Sequence, residues 1–326
     1  MDLFSASRSI LLGHAVADAI GVPVEFEDRA TRWSDPVTDV RGFGTFHQPP
    51  GSFSDDFSLT AILCESFIKS GPTVVELADL GNRLVNWMKH DYWAANKVFD
   101  VGIATRQSIE RLENGYPPDQ AGGVGEYDNG NGALMRILPV VLHPLWRQGD
   151  AMQRQRLVAQ VASVTHRHPR STLACYFYLL VANALLSGRT PDDAYAIACE
   201  AAEVSLDERL ANELPHFGRV LGGKIHTFPE EQIESGGYVV HTLEAALWVL
   251  LNHRTYADTV LAAVNLGFDT DTTAAVAGGL AALAYGGAPS IPAEWLAVLA
   301  RRHDIEDLAQ RLATQMRPDT TLLPYA

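Results

Sequence analysis

Cysteine is scarce: Cys64, Cys175 and Cys199 are all that 326 residues contain, and each sits inside an apolar run. An odd, scattered set is neither a disulfide framework nor a zinc site of paired thiolates, and it fits buried small side chains in a reducing compartment. Positive charge is short as well, with 25 Lys+Arg against 39 Asp+Glu and a net charge of -14. A nucleic-acid binder needs a basic stripe, so no DNA or RNA partner is expected. The longest apolar run, Leu173–Leu186, contains Asn183 and is too short to span a bilayer, so no membrane partner is expected either. The N-terminus lacks a basic segment and a small-residue cleavage site, and a cytoplasmic location follows as the expectation. Runs of alternating polar and apolar residues, fixed-period repeats and Pro/Ser/Gly linkers are all missing. Residues 1–326 are therefore expected to form a single domain without a sheet.

What the chain does have is helical periodicity. "FSASRSILLGHAVADAIG", "SLTAILCESFIKSG", "VVELADLGNRLVNWMKH" and "VGIATRQSIERLENG" read as helices, the last with acids and bases three to four apart. The same reading continues through "TLACYFYLLVANALLSG", "HTLEAALWVLLN" and "TTAAVAGGLAALAYG" to "IEDLAQRLATQM". Glycines in Ala277–Gly287 permit close helix approach, so the expected fold is all-α, a compact bundle. Three irregular stretches, Val22–Asp56, Gly115–Gly132 and Gly222–Tyr238, each precede a helix, and loops on a rigid scaffold are where a site is sought.

Two acidic clusters stand out. Ser54-Asp55-Asp56 precedes an apolar helix, where one cap would suffice. Asp269-Thr270-Asp271-Thr272 lies more than two hundred residues downstream, before a helix expected to begin near Thr273. In extended backbone residues i and i+2 share a side, so Asp269 and Asp271 are expected to converge. Together the clusters offer four carboxylates and two hydroxyls, a hard-oxygen set suited to Mg²⁺ or Mn²⁺ rather than zinc.

Six ordered segments also carry a resemblance. "GHAVADAIGVPVEF", "GTFHQPPGSFSDDFSLT", "VFDVGIATRQSI", "GNGALMRILP", "THRHP" and "GFDTDTTAAVAGGLAALAYG" resemble the successive motifs of the ADP-ribosylglycohydrolase family, in its dinitrogenase-reductase-activating bacterial form. Ala17 stands where Gly is usual, Ser54 where Thr is usual, and Phe268 where Gly is frequent. The resemblance runs nearly end to end and implies an orthogonal multi-helix bundle with two Mg²⁺ or Mn²⁺ ions. By position it implies Ser54, Asp55, Asp56, Asp269, Asp271 and Thr272 as metal ligands.

The resemblance further implies roles that single residues would not reveal. Asp100 and Glu25 become the candidate catalytic carboxylates, with Asp100 preferred as the base that activates water. Asn129, Gly130, Asn131, Gly132 and Met135 are expected to hold the diphosphate and ribose of ADP-ribose, on a loop followed directly by a helix. His166 is expected beside the ribose and Tyr238 against adenine. Arg136 is expected to be an internal salt-bridge partner. An anion at Asp128, where a hydroxyl residue is common, would repel phosphate.

The implied activity is metal-dependent hydrolysis of the bond at C1″ of an ADP-ribosyl group, arginine-linked by default. The implied partner is an ADP-ribosylated protein or a small ADP-ribose conjugate. O-linked ADP-ribose and ADP-ribose esters are alternatives within the same fold. His90-Asp91 and His303-Asp304 raise a His-Asp-type all-α phosphohydrolase, which leaves the four acids unexplained. A non-catalytic ADP-ribose-binding protein is the third alternative.

Overall fold

Asp2 opens the first helix, Leu3–Gly21, by accepting the Ser5 N–H at 3.0 Å. From Ala6 onward every residue of this helix except Arg8 is buried, so it forms an interior post rather than an amphipathic surface helix. Its most extensive partner is the helix Thr270–Ala284. At their crossing a Cβ on Gly278 would lie 2.3 Å from the Ala17 Cβ, which is why two such backbones can meet only through glycine.

The computed structural model describes residues 1–204 and 206–317. Among the described residues there is no strand, only the isolated bridges Phe43–Gln48, Gly123–His166 and Gly130–Tyr238. A second interior helix, Pro169–Leu186, has proline in its first turn and His168 as N-cap, accepting the Arg170 N–H at 3.2 Å. The outer helices are one-sided. Leu77–His90, for example, buries Leu80, Gly81, Leu84 and Trp87 and exposes the opposite face. Around the two interior posts pack Asp55–Ser70, Ala151–Ser163, Val239–Asn252, Tyr256–Asn265 and Arg302–Gln315. Cys64 and Cys175 are buried in this core, and Cys199 is half-buried.

Two local expectations fail. The helix expected near Thr273 begins at Thr270, so Asp271 lies in its first turn and Asp269 is the N-cap, with φ -90° and ψ 74°. Convergence through an extended i, i+2 pair is therefore not the geometry adopted. After Gly132 the chain makes short 3₁₀ turns at Leu134–Arg136 and Leu138–Leu142 instead of an α-helix. Pro139 lacks the N–H that a continuing helix would need. Both deviations lie at the end of the bundle where the first helix terminates at Gly21 and the Asp55 and Thr270 helices start.

Candidate active site

Ser54 caps the Asp55–Ser70 helix through a 3.2 Å bond from the Asp56 N–H to its Oγ, so the capping role and the acidic cluster coexist. Asp18, projecting from the first helix, grips the same helix start. Its Oδ1 accepts the Ser54 N–H and its Oδ2 the Phe57 N–H, each at 2.9 Å. Facing this start is the start of the Thr270 helix. Thr272 Oγ1 donates to Asp56 Oδ2 at 3.2 Å, and Ser54 Oγ donates to the same oxygen at 3.1 Å. Asp269 makes no side-chain cap; its Oδ2 accepts Asn131 Nδ2 at 2.7 Å.

Ser54, Asp56, Asp269, Thr272 and Asn131 thus meet in one place, and Glu25, Asp100 and Asp271 join them. Glu25, Asp100 and Asp271 bring carboxylate oxygens within 4.8 Å of one another, and so do Asp18, Asp56 and Asp271. Asp271 belongs to both triads. Asp100 adopts a left-handed backbone conformation, φ 50°, which directs a half-buried carboxylate inward from an exposed loop.

Burial, reinforced by the neighbouring acids, holds the carboxyl groups of Asp55, Asp56 and Asp271 well above the usual carboxylate range. Glu25 is raised by burial and then by Asp100 and Asp269, and Asp100 by burial and then by Asp269. Glu25 Oε2, Asp56 Oδ1, Asp269 Oδ1 and Asp271 Oδ2 are buried with no hydrogen-bond partner. A buried carboxylate oxygen with no donor is costly. Four converging from three chain segments make a donor set that a hard divalent cation satisfies, and thiolate or imidazole ligands are absent from both triads.

Beside the acids lies a cleft of about 520 Å³ lined by Glu126, Asn129, Gly130, Arg170, Gly237 and Tyr238, among others. Its floor is the Asn129–Gly132 loop, tied to the Gly237–Val239 segment by Asn131 N–H to Gly237 O and Val239 N–H to Asn129 O, both 3.0 Å. A Cβ on Gly132 would sit 2.7 Å from His166 Cε1, so glycine lets the loop lie on the imidazole. Burial, then Arg136, pushes His166 down to about 3, so its ring is neutral; Nδ1 bonds Thr165 Oγ1 at 2.9 Å. Met135 is buried, and its carbonyl bonds His14 Nε2 at 2.6 Å.

Comparison with known proteins decides the family. The ADP-ribosylglycohydrolase profile matches residues 1–321. The chain belongs to the ADP-ribosylglycohydrolase family. It is 32% identical over 310 residues to the ADP-ribosylarginine hydrolase Tri1 of Pseudomonas putida, covering 94% of this chain and 77% of that protein. It is 30% identical over 290 residues to the ADP-ribosyl-[dinitrogen reductase] glycohydrolase of Rhodospirillum rubrum, covering 88% of each. A solved ADP-ribosylglycohydrolase-related protein complex superposes with a TM-score of 0.78 at 30% identity, over 97% of this chain and 99% of that one. The fold is the all-α bundle of these glycohydrolases, and the protein is an enzyme of their class.

Within this ADP-ribosylglycohydrolase several residues take places that sequence alone did not indicate. Asn131 spends its amide on Asp269 and, at 2.9 Å, on Thr242 Oγ1, bridging the cleft floor to the acid cluster. Arg136 makes no salt bridge among the described residues; buried, it donates to the carbonyls of Gly132 and Val161. Asp128 turns its carboxylate to the Gly125 N–H of its own loop, at 2.8 Å. His90 and His303 are exposed, while Asp91 bonds the Val98 N–H and Asp304 pairs with Arg301. Neither His-Asp dipeptide joins the acids.

Asp18 was missed, although a lone acid in an otherwise apolar helix is a visible signal. Arg170 was missed too. Buried under the cleft, it donates to Glu126, Glu213 and, at 3.3 Å, to the Tyr238 hydroxyl. Nothing in "HPRST" announces that hub. No described helix is long and apolar enough to cross a membrane.

Proposed function

We propose that this glycohydrolase is metal-dependent and hydrolyses the glycosidic bond at C1″ of ADP-ribose linked to arginine on a protein. The observation that carries the reading is the meeting of the Ser54–Asp56 and Asp269–Thr272 helix starts, with four buried carboxylate oxygens left without donors. Such a set supports two Mg²⁺ or Mn²⁺ ions, held by Ser54, Asp55, Asp56, Asp269, Asp271 and Thr272. When bound, these ions supply positive charge that holds the 2″ and 3″ hydroxyls and orients the reacting ribose.

The chain's own groups do the rest. Asp100, reachable from solvent, takes a proton from the water that attacks C1″ as the C1″–N bond breaks and the guanidine leaves with the bonding pair. Glu25, deeper in the site and with a carboxylate oxygen within 4.8 Å of one of Asp100, fixes the direction of that carboxylate and sits near the developing positive charge on the ribose. Asn129, Gly130, Asn131, Gly132, Met135 and neutral His166 shape the diphosphate and ribose side. Tyr238, steadied by Arg170 and by an edge-to-face contact with His241 at 4.9 Å, offers a face to adenine.

Arginine linkage is favoured because the Pseudomonas putida relative is named for it. The test is ADP-ribose release from arginine-, serine- and acetyl-linked substrates, measured side by side with Mg²⁺ and with chelator. Release from the arginine linkage that requires the ion supports the reading. Release only from the oxygen-linked substrates, or equal release under chelation, overturns it.

A further inference from the structure

Three acids of the site have a phenylalanine as their neighbour in the chain. Phe26 follows Glu25, Phe99 precedes Asp100, and Phe268 precedes Asp269. These rings are not core. Phe26 is 66% exposed and Phe268 45% exposed, in a protein whose other large aromatics are mostly buried. Both hold left-handed backbone conformations, φ 65° and φ 62°, which a bulky side chain adopts at a cost and glycine adopts freely. Local folding preference therefore explains neither the conformation nor the exposure.

Tertiary contacts hold the rings in place. The Phe26 N–H donates to the Phe268 carbonyl and the Phe268 N–H to the Glu27 carbonyl, each at 2.7 Å, clasping the two segments together. Thr45 Oγ1 bonds the Glu25 carbonyl at 2.8 Å and so docks the loop that carries Phe46. Phe46 then bridges the rings, 6.0 Å from Phe26 and 5.0 Å from Phe99 between centroids. The nearest arginines in sequence are already engaged: Arg29 donates to the carbonyls of Leu266, Glu230 and Ile233, and Arg32 pairs with Glu27. The result is an aromatic collar on the chain segments that carry Glu25 and Asp100.

We infer that this collar, chiefly Phe26 and Phe268 with Phe46 and Phe99 behind them, binds the guanidinium of the acceptor arginine on a protein substrate. Ring faces attract a planar cation, and the bordering carboxylates complement its charge. A serine-linked or acetyl-linked acceptor brings no cation and gains nothing from the rings. The inference rests on the arginine-linked reading above and adds the residues that select the acceptor side.

The test uses the full chain with Mg²⁺ and an arginine-ADP-ribosylated peptide. Phe26→Gly and Phe268→Gly relieve the left-handed backbone, so both variants are expected to fold, with the helical circular dichroism signal as the check. Phe268→Leu keeps apolar bulk without a ring. The expected result is a KM for the peptide raised about tenfold in each glycine variant and about as much in Phe268→Leu. The Kd for free ADP-ribose, which lacks the acceptor, stays within about twofold by calorimetry. An unchanged KM, a full rescue by leucine, or an equal weakening of ADP-ribose binding would overturn the collar. A wild-type protein that releases nothing from the arginine linkage would instead overturn the functional reading itself.

Discussion

Asp56 and Thr272, 216 residues apart in sequence, meet at 3.2 Å between Oδ2 and Oγ1. That bond joins the starts of two helices whose positive dipole ends both point at the same acids. The Ser54 start is an ordinary cap, whereas Asp269 makes none; together the two starts concentrate more negative charge than capping needs. The excess is what the proposed cations offset. Asp55→Asn, Asp56→Asn and Asp271→Asn are each expected to cut turnover about a hundredfold or more. In chelator each should melt at or above the wild-type temperature, since a like charge is gone. Wild-type turnover in all three would contradict the cage.

Asp18 is a positioning residue in this arrangement, with both oxygens occupied by the Ser54 and Phe57 N–H groups. Asp18→Asn replaces one acceptor by an NH₂ that opposes a backbone donor. Metal affinity should fall about 10- to 100-fold by calorimetric titration, a typical effect of removing such a support. Asp18→Glu, one methylene longer, should not restore it. Unchanged affinity in Asp18→Asn would reduce Asp18 to a simple cap.

The acids also set a pH dependence for the metal-free protein. The folded-state values of Asp55, Asp56 and Asp271 are raised above the unfolded value, so the folded chain holds protons that the unfolded chain has released. Their contribution to stability is present at low pH and lost as pH rises toward those raised values. In EDTA the melting temperature should therefore fall between pH 5 and pH 8, and saturating Mg²⁺ should flatten the slope. A chelated protein that gains stability over that range would contradict this.

Much of this was legible in the sequence, and the misses have physical reasons. Leu77–His90 buries one stripe and reads directly as a helix; Pro169–Leu186 also reads as a helix, but its period does not reveal that nearly all of it is buried. The start of the last long core helix was placed late because Thr270, Asp271 and Thr272 are capping residue types with poor helix propensity. The two acid clusters were visible as excess charge, but their meeting depends on the glycine-mediated packing of two distant helices, which no local pattern encodes. Asn131 and Arg136 belong to motifs, yet Asn131 bonds the Asp269 carboxylate and Arg136 the Val161 carbonyl, both brought in from elsewhere in the chain.

Asp100 and Glu25 are separable by kinetics. If Asp100 activates water, Asp100→Asn lowers kcat about a hundredfold or more with KM little changed. Glu25→Gln then raises KM and lowers kcat less. The reverse pattern would transfer the base role to Glu25. Bound metal must be measured in both, since loss of occupancy would mimic either result.

The most direct test titrates Mg²⁺ or Mn²⁺ into the dialysed, metal-free full chain. Bound ion and ADP-ribose release from an arginine-linked substrate are read in the same samples. The account predicts negligible release without ion and a rise that tracks occupancy to two ions per chain, a stoichiometry that Asp271→Asn does not reach. Release by the metal-free protein at the rate of the loaded one would contradict it.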